Sequence, residues 1–124
     1  MPNYVKGRWK SFGYALKGVK GVIASGPNFV VMLLAIAVVV VAGIYYHLTG
    51  TEWALVTFAI TLVVVAEALN TAIEKLTDMV QPKQDPRAGM VKDLASGGVL
   101  LACIGAAVIG VLVFGHHIMR DIIL

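Results

Sequence analysis

From Trp53 to Ala66 fourteen consecutive residues carry no charge, and an acid, Glu67, follows them directly. A run this apolar needs a helix in lipid, because an open strand would leave backbone groups unsatisfied there. Beyond it, residues 65–80 read VAEALNTAIEKLTDMV, with Glu67, Asn70, Glu74 and Asp78 in quick order. At ~100° per residue, Glu74 and Asp78 fall about 20° to either side of Glu67, and Asn70 about 60° away. One polar stripe results, while Leu69, Ile73 and Leu76 lie elsewhere on the helix. A helix emerging into water accounts for Lys75, Asp78 and Glu74. It accounts poorly for Glu67, nearly four turns before the polar segment at Gln81. An acid inside a membrane costs at least ~2.5 kcal/mol near the centre and usually serves function.

The rest of the chain agrees with lipid as the solvent. Of its 124 residues 59% are hydrophobic and 14% charged, which excludes an ordinary water-soluble domain. No internal repeat or low-complexity tract divides it, so a single membrane domain over 1–124 is expected. The one cysteine, Cys103, excludes an intramolecular disulfide and reads as a packing residue in an apolar run. The net charge of +3 is modest and gives no reason to expect a nucleic-acid partner.

In chain order, residues 4–24 form an amphipathic helix. Val5, Trp9, Phe12, Leu16, Val19 and Ile23 share one stripe, with Lys6, Lys10, Lys17 and Lys20 to one side and Arg8 to the other. Such a helix lies in the membrane interface, with Tyr14 pointing away from the apolar stripe. It lacks the continuous apolar core of a cleavable signal peptide. Gly26-Pro27-Asn28 breaks it, and 29–48 is the first span, ending in the interfacial residues Tyr45, Tyr46 and His47. The second span covers about 52–80, with Thr51 as its expected N-cap. Asp85-Pro86 opens the third, about 86–117, as an acidic N-cap followed by proline. Gly98, Ala102, Gly105, Ala106 and Gly110 offer small residues for close helix contact.

Nine of the ten Lys and Arg residues lie in the N-terminal helix and in 75–92, which places the N-terminus in the cytoplasm and the C-terminus outside. His116 and His117 near the C-terminus read as a polar helix end, for want of a third ligand nearby.

There is neither a GxxxxGK[ST] phosphate loop nor a protein-kinase signature. The chemistry available at the expected cytoplasmic end is carboxylates plus Lys92-Asp93. That set suits phosphoryl transfer, which needs a divalent metal on the phosphates, cationic charge, and a group to position or deprotonate the acceptor. Glu74 suits Mg²⁺, Lys92 can meet phosphate oxygens as a point charge, and the deeper Glu67 suits a general base for a hydroxyl just below the headgroups.

AEALNTAIEKLTDMV, GMVKDLASGGVLL, SFGYALKG and TEWALV together resemble the small prokaryotic diacylglycerol kinase and undecaprenol kinase family over nearly the whole chain. The resemblance implies an all-α homotrimer of the bacterial inner membrane, each subunit with three transmembrane helices and a surface helix. It implies ATP as donor, Mg²⁺ as cofactor, and undecaprenol or diacylglycerol as the lipid acceptor. It assigns Glu67 as catalytic base and Glu74 as metal ligand. Tyr14, Glu74, Asp78, Lys92 and Asp93 fall on nucleotide positions, and Arg8, Trp9 and Asn70 line the active site. One departure stands out: in Ser25-Gly26-Pro27-Asn28-Phe29, Gly26 occupies the place of a second metal-binding glutamate, and Val30 replaces a basic residue. An active lipid kinase is therefore expected, with a non-catalytic lipid-binding or assembly subunit as the alternative. A transporter built on Glu67 has little support without a repeat.

Overall fold

In lipid a backbone must satisfy its own hydrogen bonds, and the described residues do so in four helices joined by short turns. A computed structural model describes residues 2–25 and 27–123. It contains α1 (Pro2–Ile23), α2 (Pro27–Tyr45), α3 (Gly50–Val80) and α4 (Pro86–Ile123). α2, α3 and α4 are each long and apolar enough to cross a membrane. Gly26 lies outside the described residues. The chain falls into two compact units, Met1–Leu34 and Ala35–Leu124.

In the first unit, α1 begins at Pro2 and its Val5–Trp9–Phe12–Leu16 stripe is exposed along its length. The helix closes through Ala24 N–H to Lys20 C=O at 3.0 Å, and Ser25 Oγ donates to Val22 C=O at 2.6 Å.

In the second unit, α3 packs against α4. Few side chains are buried between them, and large apolar residues such as Leu94, Leu101, Val111 and Leu112 remain exposed. In water such surface would be a liability; in lipid it is solvated. The uncharged stretches differ in length: fourteen residues in α3, Trp53 to Ala66, against twenty-one in α4, Leu94 to Phe114.

The turn joining α2 to α3 is short because both helix ends cap themselves. His47 N–H donates to Ile44 C=O and Leu48 N–H to Gly43 C=O, both at 3.2 Å, the paired bonds of a Schellman motif. His47 sits at the left-handed position, φ 52°, which usually falls to glycine. Two residues later Thr49 caps α3: its hydroxyl accepts from Glu52 N–H while Glu52 Oε1 accepts from Thr49 N–H, each at 3.2 Å. Thr51, expected as the cap, is instead helical. Thr49 wins because only its T-x-x-E spacing satisfies two free donors reciprocally.

The helices that carry the first and third expected spans run Pro27–Tyr45 and Pro86–Ile123. A Cβ built at Gly98, Gly105 or Gly110 would meet nothing within 4 Å, so these glycines of α4 make no close approach among the described residues, whereas Ala102 is buried. The close approach is at Gly43, where a Cβ would lie 2.5 Å from Trp53 Cη2. Trp53 and its neighbour Tyr46 pack on the cluster of Leu48, Val56 and Val113.

Candidate active site

The four residues of the stripe lie on α3 and differ in burial. Glu67 is half-buried, Asn70 is buried, Glu74 is half-buried and Asp78 is exposed. All four ride one uninterrupted helix, so their relative positions are fixed by its 1.5 Å rise and not by loop geometry. Thr71 and Thr77 return their hydroxyls to the carbonyls of Glu67 and Ile73, at 3.0 and 2.7 Å, so neither competes for the acids.

Asn70 Nδ2 donates to Glu74 Oε1 at 3.3 Å. A carboxylate only accepts, so this bond fixes which way the amide faces. Among the described residues Asn70 Oδ1 is consequently left buried with no hydrogen-bond partner. An orphaned acceptor of this kind costs about 1–3 kcal/mol and marks a place where a donor or cation belongs. An amide oxygen next to a carboxylate is a hard-oxygen donor set, which fits Mg²⁺.

Lys92 on α4 reaches across to Asp78, Nζ to Oδ1 at 2.6 Å. Both line an open groove of about 560 Å³ that continues along Gln81–Gly89. Asp85 caps α4 as expected, its Oδ1 accepting from Arg87 N–H at 2.8 Å. The Arg87 guanidinium, and then that backbone N–H, hold the Asp85 carboxyl below its ordinary value. Asp93 is exposed on the turn of α4 after Lys92. The structure thus brings together Asn70 with Glu74, and Asp78 with Lys92. Glu67 has no side-chain partner among the described residues.

Arg8, Trp9 and Tyr14 belong to the first unit. Arg8 Nη2 donates to Tyr4 Oη at 2.7 Å, with its guanidinium 5.0 Å from the ring centroid. Trp9 is exposed, and the exposed Tyr14 ring has Lys17 Nζ 5.9 Å from its centroid.

At the opposite end of α3, the expectation that His116 and His117 lack a third ligand needs correction. Glu52 Oε2 is 2.9 Å from His117 Nε2 and 3.6 Å from His116 Nε2. Antiparallel packing of α3 on α4 puts the first turn of one beside the last turns of the other. The signal was present in the sequence as one acid and two histidines at the same end of two spans.

Residues 13–114 match the family model for prokaryotic diacylglycerol kinase. The chain is 32% identical over 106 residues to the undecaprenol kinase of Bacillus subtilis (strain 168), covering 86% of each. It is 36% identical over 101 residues to a diacylglycerol kinase of Synechocystis, covering 81% of this chain and 58% of the relative. To the diacylglycerol kinase of Escherichia coli (strain K12) it is 27% identical over 108 residues, covering 87% and 88%.

Proposed function

The chain belongs to the prokaryotic diacylglycerol kinase family, and on that premise we propose that it moves the γ-phosphate of ATP to the hydroxyl of undecaprenol or diacylglycerol at the cytoplasmic face of the inner membrane. That it is a membrane lipid kinase follows from the family and its relatives. The donor, side and lipid are the proposal. The observation that carries it is the buried Asn70 Oδ1, unpartnered beside Glu74 and on the same helix face as Glu67.

In this reading Glu67 takes the proton of the lipid hydroxyl as that oxygen attacks the γ-phosphorus, and the bond from the γ-phosphorus to the β,γ-bridging oxygen breaks, releasing ADP. Its half-buried position, at the end of an uncharged run, suits an acceptor lying just under the headgroups. Glu74 and Asn70 Oδ1 would hold Mg²⁺, which supplies positive charge against the phosphates. Lys92 leaves Asp78 to meet phosphate oxygens, and the freed Asp78 with Asp93 orients the nucleotide. Roles for Tyr14 at the nucleotide and for Arg8 and Trp9 at the lipid rest on the family resemblance alone. Burial of the reacting oxygens away from bulk water favours the lipid hydroxyl over hydrolysis. A homotrimer would cover part of the apolar surface left exposed on α3 and α4.

The test is incubation of the purified protein with labelled ATP and separated lipids. Label in undecaprenyl phosphate or phosphatidic acid supports the proposal and chooses the lipid; label in neither, at any Mg²⁺ concentration, refutes it.

A further inference from the structure

Neighbouring residues on a helix point about 100° apart, yet the His116 and His117 rings lie 4.0 Å apart at 37°, both turned toward Glu52. Ligand atoms of all three residues fall within 4.8 Å of one another. Tetrahedral zinc with bonds of ~2.0–2.2 Å holds its ligand atoms ~3.3–3.6 Å apart. The separations from Glu52 Oε2, 2.9 and 3.6 Å, come within a few tenths of an ångström of that range.

We propose that Glu52, His116 and His117 form a zinc-class divalent metal site that joins the start of α3 to the end of α4. Two imidazoles and one carboxylate favour Zn²⁺ over Mg²⁺, which takes oxygen ligands in octahedral geometry. Glu52 is already oriented: its other oxygen, Oε1, is held by Thr49 N–H in the helix cap. His117 is buried, its side chain 8% exposed, while His116 is 60% exposed. The site therefore has an anchored inner side and an open outer one, where water completes the coordination. It lies 22 residues before Glu74 on α3, or ~33 Å, too far to share a metal with the kinase groups.

One contact opposes the metal and thereby makes the proposal testable. Arg120 Nη2 donates to His117 Nδ1 at 3.3 Å, so the proton of this neutral ring sits on Nε2 and is donated to Glu52. A metal at Nε2 requires the ring proton on Nδ1, and Arg120, which is exposed, must turn away. Arg120 is thus a competitor of the metal.

The experiment uses the full chain without a histidine tag, in detergent micelles, titrated with Zn²⁺ and with Mg²⁺ against a chelating indicator. One Zn²⁺ per chain is expected, undisturbed by ~10 mM Mg²⁺, with thermal stability rising as the site fills. His116→Ala, a change at a largely exposed side chain, should weaken binding at least about tenfold, and Glu52→Gln likewise. Arg120→Ala should tighten it several-fold by freeing Nδ1 and removing a cation. Co²⁺ in place of Zn²⁺ should give the visible bands of a low-coordinate site. Affinity unchanged in His116→Ala, no saturation near one ion per chain, or weaker binding in Arg120→Ala would overturn the proposal.

Discussion

Lys92 Nζ lies 2.6 Å from Asp78 Oδ1, an ion pair that ties α4 to α3 across fourteen positions of chain. Both partners are well exposed, at 40% and 62%, so solvent screens the pair and it contributes little to stability. On the proposed function its weakness suits a cation that changes partners. Lys92→Ala is expected to raise the KM for ATP about tenfold, the value of one charge-assisted hydrogen bond, with the lipid KM nearly unchanged. Thermal denaturation should hardly move. Equal changes in both KM values would assign Lys92 to something other than the nucleotide.

Glu67→Gln keeps the size of the side chain and removes its basicity. Turnover should fall about 10²–10⁴-fold while the protein extracts and migrates as the wild type does. Wild-type rates in this variant would take Glu67 out of the mechanism.

Gly26 carries no side chain where a second metal-binding glutamate is expected by resemblance. Gly26→Glu should lower the Mg²⁺ concentration giving half-maximal rate, and Gly26→Gln should not, since both add bulk and only one adds charge. Steady-state rates across a Mg²⁺ titration compare them. Identical curves for the two variants would show that the missing ligand does not limit the enzyme.

The α2–α3 turn offers a paired test of stability. His47→Gly relieves a left-handed residue of ~1–2 kcal/mol and returns part of that as chain entropy, for a net gain of about 0.5–1 kcal/mol. Gly43→Ala forces a methyl against Trp53 and should cost about 1–3 kcal/mol. Denaturation in one detergent measures both. A neutral Gly43→Ala would mean that the indole gives way freely.

Three spans were legible in advance because lipid permits so few alternatives, and 3.6-residue periodicity placed Glu67, Asn70, Glu74 and Asp78 on one face. That Asn70 would be the buried member, with an unpaired oxygen, depended on how deeply α4 covers α3, which periodicity does not encode. The Glu52–His117 pair spans 65 positions and depends on the register of two antiparallel helices, set in turn by the length of the Gln81–Asp85 turn. Thr49 and Thr51 were both credible caps, and the reciprocal bond with Glu52 separates them. A left-handed His47 left no trace in the sequence, because histidine tolerates that conformation without requiring it.

The unequal uncharged stretches of α3 and α4 make membrane thickness a working variable of this protein. Fourteen residues rise ~21 Å and twenty-one rise ~31 Å, against a hydrocarbon core of ~30 Å. Acyl chains that match α4 are too tall for α3, and the difference falls on the side where Glu67 and Asn70 wait. Lipid there must thin locally, or water must descend to meet the polar stripe. On the proposed function, an acceptor lipid passing that step would have its hydroxyl lowered toward Glu67 by the shape of the membrane itself, and the rate would follow the thickness of the surrounding bilayer.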